Sequence, residues 1–361
     1  MSEINLEEQE FIYSFKKQYL QIVPLYNLNW QPIPSNLSVS AQAEILSIIK
    51  EYHIPNKITN NYTVQCLKKI INIIEKNFCE MNEDLLNFYL NLLFEEKNDN
   101  TNANNNININ LNSTLITTIN NNNNTSNNNI NKTNEEDNNT WWKIYSLDKS
   151  CNNIIKLLED KSMISKGTTG LRTWEASLRL SEYFIQNPKI CKNKNIIELG
   201  AGIGLLSLIC AKLGAKTVLA TDVNCDVLQR LQQNIEANQL LLEKENCTIP
   251  KVEKLDWNEK YLDMSEYKNL DLIICADVIY NPENIEPLVN ILSIFLKAIP
   301  LITIILCNPL RQQSTYDLFL EQLNKHNITI HIELIDQVPM IFYHDEEFSQ
   351  IQMTIINKKD E

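Results

Sequence analysis

The chain has 361 residues, 43% of them hydrophobic and 21% charged, with a formal net charge of −13. That length suits about two domains with sizeable cores. The acidic balance speaks against direct nucleic-acid binding, which needs basic surface, and is compatible with a basic protein partner.

No run of about 18 apolar residues occurs, so no transmembrane helix is expected. The acidic start MSEINLEEQEF lacks the apolar stretch of a secretory signal. The nine cysteines form no C-x-x-C pair, and the four histidines show no ligand spacing. The expectation is reduced, buried thiols in a cytoplasmic protein, with no metal site.

Residues 1–97 read as helical. Phe11, Phe15, Tyr19 and Ile22 recur at helical spacing, as do Ile45, Ile48 and Ile49. Leu67, Ile70, Ile71 and Ile74 follow, then Leu85, Leu86, Tyr89, Leu92 and Leu93. Trp30, Trp141 and Trp142 read as packing residues. From 98 to 139 half of the residues are asparagine, a composition that buries little apolar surface. That segment is expected to be a disordered insertion.

From residue 140 onward extended and helical patterns alternate. Extended stretches are expected at 141–147, 153–159, 194–199, 216–222, 251–255, 270–277, 301–307, 328–334 and 350–356. Helices are expected at 174–186, 204–213, 225–239, 284–297 and 312–325. Alternating strand–helix units imply a mostly parallel sheet covered on both faces. The last two strands, with no helix between them, fit an antiparallel pair at one edge.

All six glycines lie between residues 167 and 214. Three stand at Gly200-x-Gly202-x-Gly204, after the strand ending Ile197-Glu198-Leu199. Glycine allows positive φ and close approach of backbone to a ligand. A dinucleotide fingerprint places its third glycine where this chain has Leu205, and the Gly-Lys-Ser/Thr of a phosphate loop is missing. With Glu198 two residues ahead of the first glycine, E-x-G-x-G-x-G points to a class I S-adenosylmethionine site. Asp222, at the end of the next strand, is placed to accept hydrogen bonds from ribose hydroxyls. A second reading of Asp222 is as the N-cap of the helix from Cys225. Glu198, Asp222, Asp256 and Asp277 all fall at expected strand ends, where open α/β sheets bind ligands.

The stretches TTGLRTWEASLRLSEYF (168–184), IIELGAGIGLLSL (196–208), LDW (255–257) and ADVIY (276–280) resemble family 16 of the seven-β-strand methyltransferases. NPLRQQSTYDLFLEQL (308–323) and FKKQYLQIVPLYNLNW (15–30) are similar to the branch that methylates translation elongation factor 2. The resemblance spans the chain outside the asparagine tract, and is weakest over 31–97. It implies a class I Rossmann-like seven-stranded methyltransferase domain over 140–361, with a helical N-terminal extension over 1–97. It implies S-adenosylmethionine as cofactor and a lysine of elongation factor 2 as acceptor. Trp174, Gly200, Ala201 and Gly202 are then set against the cofactor, with Asp222 on the ribose. Trp257 and Asp256 border the adenine, and Ala276 opens the D-x-x-Y motif Asp277-Val278-Ile279-Tyr280.

Within that reading, Glu198 and Asp277 lower the cost of holding a sulfonium, Asp277 orients the incoming amine, and Tyr280 lines its channel. Read from the residues alone, Trp174 and Trp257 also fit core packing, and Tyr280 a structural hydroxyl before Pro282. A methyltransferase for another lysine or a histidine, and an idle binding module of the same fold, remain alternatives.

Overall fold

The computed structural model describes residues 4–53, 58–103, 139–148, 151–259, 262–299, 301–335, 338–344 and 350–357. The expected disordered insertion lies almost wholly outside the described residues. The chain divides into two compact units, Met1–Trp141 and Trp142–Glu361.

The first unit is built on four helices: α1 (Leu6–Leu20), α2 (Val39–Tyr52), α3 (Asn60–Lys76) and α4 (Glu83–Ala103). Asn5 and Glu8 form a reciprocal capping box that starts α1, which satisfies N–H groups the first turn leaves orphaned. The apolar periodicity read from the sequence is the buried stripe. Phe11, Phe15, Tyr19, Ile45, Ile49, Leu67, Ile70, Ile74 and Leu85 are fully enclosed in one core. Trp30 packs edge-on against Phe11 and Phe15 in that core. A polar chain crosses it, from the Tyr19 hydroxyl to Thr63 Oγ1 to His53 to Asn60, each link 2.9 Å. α4 runs past the boundary expected at residue 97, to Ala103.

The second unit is a seven-stranded sheet with helices on both faces. Its elements in chain order begin with β1 (Thr140–Ser146), β2 (Ile154–Asp160), α5 (Glu175–Gln186), β3 (Asn195–Leu199) and α6 (Leu205–Lys212). β4 (Thr217–Asp222), α7 (Cys225–Lys244), β5 (Lys251–Lys254), β6 (Leu272–Ala276) and α8 (Ile285–Ala298) follow. β7 (Thr303–Pro309), α9 (Gln313–Lys325), β8 (His331–Leu334) and β9 (Ile351–Asn357) complete it. The strand order is β5-β4-β3-β6-β7-β9-β8. The first five are parallel, while β9 runs antiparallel to both β7 and β8. β9 therefore inserts between β7 and β8, as the closing pair expected at one edge. Strand alternation assigns Ile196 to the core under α5–α7 and Ile197 to the core under α8 and α9.

Two of the nine extended stretches stay out of this sheet. β1 and β2 pair with each other alone. The backbone of β2 bonds instead to two buried amides one helical turn apart on α7. Asn234 Oδ1 accepts from Leu158 N–H at 2.8 Å and Asn238 Oδ1 from Lys156 N–H at 2.9 Å. The amides also donate to Leu158 and Lys156 carbonyls, so the helix stands in for a neighbouring strand.

Candidate functional site

Chain order reverses between β3 and β6, and beyond the carboxyl ends of these central strands opens a cavity of about 550 Å³. This is the switch-point crevice where open α/β sheets bind ligands. Trp174, Gly200, Ala201, Gly202, Asp222, Trp257, Ala276, Asp277 and Tyr280 all line it, with Glu198 and Asp256.

The glycine turn is shaped by contacts on both sides. A Cβ on Gly200 meets Val278 at 3.1 Å and Trp257 at 3.5 Å, and one on Gly202 meets the Gly170 carbonyl at 3.3 Å. Both glycines have positive φ. Ala201 N–H donates to Thr221 O at 2.8 Å, which ties the turn to the end of β4.

Asp222 binds the same turn. Its Oδ2 accepts from Gly202 N–H at 3.2 Å, and its Oδ1 from Val223 and Asn224 N–H at 2.8 and 3.1 Å. Asn224, not Asp222, caps α7, because its side chain accepts from Asp226 and Val227 N–H. Burial lifts the Asp222 carboxyl above its usual range against those three N–H groups. A lone pair remains on Oδ2 for a ligand hydroxyl.

The opposite wall is the loop before α5. Trp174 Nε1–H donates to Thr169 O at 2.9 Å, and Gly170 N–H to Thr168 Oγ1 at 3.1 Å. Thr173 Oγ1 donates at 2.8 Å to Glu159 on β2, which also takes the Tyr145 hydroxyl at 2.6 Å and the Lys143 ammonium at 3.2 Å. The β1–β2 pair thus anchors the cavity wall. Trp174 is half-buried beside the cavity and Tyr280 is 49% exposed at its rim. Trp257 packs over Gly200, and Asp256 turns to accept from both amide groups of Asn258, which hold its carboxyl below the usual range.

Two electrostatic expectations are corrected. Asp277 is not an available anion, since both its oxygens accept from the Arg311 guanidinium, Oδ2 at 2.9 Å. Arg311 also lies 5.3 Å over the Trp174 ring. Glu198 points into the protein and accepts from the Ser207 hydroxyl of α6. Burial pushes its carboxyl up to about 8, so it is largely protonated at neutral pH. Anionic character falls to Asp222 and Asp256.

Arg311, Glu159 and Asn308 were not singled out from the sequence. Asn308 Oδ1 accepts from Ile279 N–H at 3.0 Å and so supports the D-x-x-Y loop. The place of Arg311 beside Asp277 comes from strand order. β7 lies beside β6 with Cys307 opposite Ala276, which puts the residues just after β7 next to Asp277. Among the described residues no group of three or more His, Cys, Asp or Glu can hold a metal, and no helix is long and apolar enough to cross a membrane.

Residues 150–326 match the lysine methyltransferase family. Protein-lysine N-methyltransferase EFM3 of Chaetomium thermophilum is 34% identical over 183 residues, 49% of this chain and 53% of that protein. Protein-lysine N-methyltransferase EEF2KMT of Homo sapiens is 38% identical over 144 residues, 38% of this chain and 44% of that protein. The chain thus spans about half the length of these curated relatives. An uncharacterized Dictyostelium discoideum protein is 26% identical over 360 residues, 91% of each chain. Every residue of the cavity wall lies between Met163 and Arg311, inside the matched segment. The whole cavity wall thus falls within the segment, residues 150–326, that matches the lysine methyltransferase family.

Proposed function

We propose that the protein is an S-adenosylmethionine-dependent protein-lysine N-methyltransferase acting on translation elongation factor 2. The observation that carries the reading is the meeting of the glycine turn with Asp222 at the switch point of the sheet. The substrate rests on likeness to relatives named EEF2KMT and EFM3.

The cavity suits the cofactor. Gly200 and Gly202 keep backbone, not side chain, at the wall, so a ligand can approach closely. Asp222 retains a lone pair on Oδ2 for a ribose hydroxyl, and Trp257 supplies an aromatic wall for an adenine with Asp256 at its edge. Trp174 and Ala276 close the remaining sides. When bound, the cofactor supplies an activated methyl group on a sulfonium, so the protein's part is to position and desolvate. Asp277 and Tyr280, at the acceptor side, orient the incoming amine and line its channel. The helical first unit is assigned to recognition of the large protein acceptor.

The test is to incubate the protein with labelled S-adenosylmethionine and an extract of cells lacking their own enzyme. Label on a lysine of elongation factor 2 is the expected result. Label on another protein replaces the acceptor, and no label with cofactor still bound overturns the enzymatic reading. Asp277→Ala is expected to bind cofactor normally and turn over slowly, and full turnover rejects its assigned role.

A further inference from the structure

Arg311 sits between two parts of the cavity wall that come from distant elements. Its guanidinium makes a two-pronged pair with Asp277 at the end of β6 and lies 5.3 Å over Trp174 at the start of α5. The Asp277 side chain is 6% exposed and that of Arg311 34% exposed. This is therefore not a loose surface pair, because one partner is enclosed and the other is held on two sides. Asp277 itself is in the left-handed region at φ 58°, and its N–H is fixed to Cys307 O at 2.8 Å. The carboxylate is thus aimed by backbone that over-determines its direction.

The chemistry of the acceptor gives this pair a purpose. Methyl transfer breaks a carbon–sulfur bond and forms a carbon–nitrogen bond with the lone pair of the lysine amine. The positive charge moves to nitrogen, which then releases a proton to solvent. An ammonium has no lone pair, yet a lysine side chain is protonated up to about pH 10.4. An enclosed, unpaired carboxylate beside the amine favours the wrong form, since an opposite charge within a few ångströms stabilises the ammonium by about one to three pH units.

We infer that Arg311 is a positioning residue that acts through Asp277, cancelling its charge so that the lysine amine enters the cavity neutral and able to attack. Asp277 keeps its remaining lone pairs to accept from the amine N–H, while the guanidinium repels the ammonium form. The other charged or titratable groups at the cavity do not take this part. Glu198 is turned to Ser207, Asp222 is held by three backbone N–H groups, and Asp256 is held by Asn258. Arg172 lines the wall with Thr173, Tyr280 is at the rim, and Cys307 is fully enclosed beneath Asp277. Sequence spacing gives no hint of the pairing, since its partners are 34 residues apart.

This inference rests on the methyltransferase reading, and one experiment separates the two. The unaltered protein, Arg311→Gln, Arg311→Lys and Asp277→Asn are compared on unmethylated elongation factor 2. Two quantities are read: the pH midpoint at which kcat, which reports ionisations in the enzyme–substrate complex, rises, and the protons released when the acceptor binds enzyme loaded with S-adenosylhomocysteine. The second is measured by calorimetry in buffers of different ionisation enthalpy and needs no turnover. Arg311→Gln is expected to raise the midpoint by about one pH unit, about a tenfold loss at neutral pH, and to release fewer protons. Arg311→Lys keeps the charge and holds the midpoint near the parent's. Asp277→Asn moves it the opposite way, downward, whatever its effect on the maximal rate. If Arg311→Gln fails to fold, the downward shift of Asp277→Asn decides. An unmoved midpoint in Arg311→Gln, or a shift of the same sign in both variants, overturns the inference while the methyltransferase reading stands. Absence of any methylation by the unaltered protein removes both.

Discussion

Gly204 caps α6 at φ 96°, and a Cβ there falls 2.4 Å from Leu231 Cδ1 on α7. Gly167 has a similar φ of 74° but open space around it. Gly204→Ala therefore combines a left-handed penalty with overpacking and is expected to cost about 3 kcal/mol, against about 1 kcal/mol for Gly167→Ala. Urea unfolding of the two variants checks the difference, and equal losses reject the packing argument. Glu198 offers a second test at this scale. Its folded value near 8 lies above the ordinary 4.5, so the folded state holds an extra proton between them. Stability from this group is complete below about 4.5 and is lost as pH rises toward 8. Comparison with Glu198→Gln in ligand-free protein isolates it. The parent's stability is expected to decline relative to the variant by on the order of a few kcal/mol from pH 5 to 8. A constant difference across that window discounts the burial. The glycine spacing and the strand-end acids were readable from local sequence, because turn sterics act between neighbours. The protonation of Glu198 was not, because it depends on α6 and Ser207 closing over the strand.

At the scale of elements, α5 carries a long-range polar cluster tied to the site. Glu175, Arg179 and Glu182 lie on one face of it, at spacings of four and three. His344 contacts Glu175 at 2.5 Å and Glu182 at 2.8 Å, while Arg179 pairs with Glu182 at 2.6 Å and donates to the Ile335 and Val338 carbonyls. Glu182 also accepts from the Ile341 and Phe342 N–H groups. Through these bonds α5 grips the segment between β8 and β9, one residue from Trp174. Burial disfavours the His344 cation, but the two carboxylates outweigh it and lift its value above the usual 6.5. His344→Ala leaves Glu175 enclosed without its partner and is expected to cost about 3 kcal/mol at pH 6. The stabilisation is complete below 6.5 and is lost as pH rises through the folded value, so the gap narrows at alkaline pH. Unfolding curves at pH 6 and 9 decide it, and a gap that widens contradicts the assignment. The sequence reading found α5 from its apolar spacing but gave no function to its charged face. Helix periodicity is a property of the helix alone, whereas the partner of that face comes from a loop about 160 residues on.

For the whole molecule, the two units have separate apolar cores, one among α1–α4 and two on the faces of the sheet. A protein lacking residues 1–97 is accordingly expected to fold over its second unit and bind S-adenosylmethionine, while losing methylation of elongation factor 2. Calorimetric binding alongside the labelling assay tests this, and normal methylation by the truncated protein removes the docking role of the first unit. The sequence by itself determined the helical first unit, the alternating strand–helix register and the place of the glycine turn between a strand and a helix. Each of these follows from interactions over a few residues, where side-chain period and backbone sterics are written directly in the chain. Only the tertiary structure decided that β1 and β2 leave the sheet for the amides of α7, that Arg311 claims Asp277, and that Glu198 turns inward. Those outcomes depend on strand order and on which buried polar groups find partners. An enclosed donor or charge takes whatever complement the fold delivers, however far away it lies in the chain.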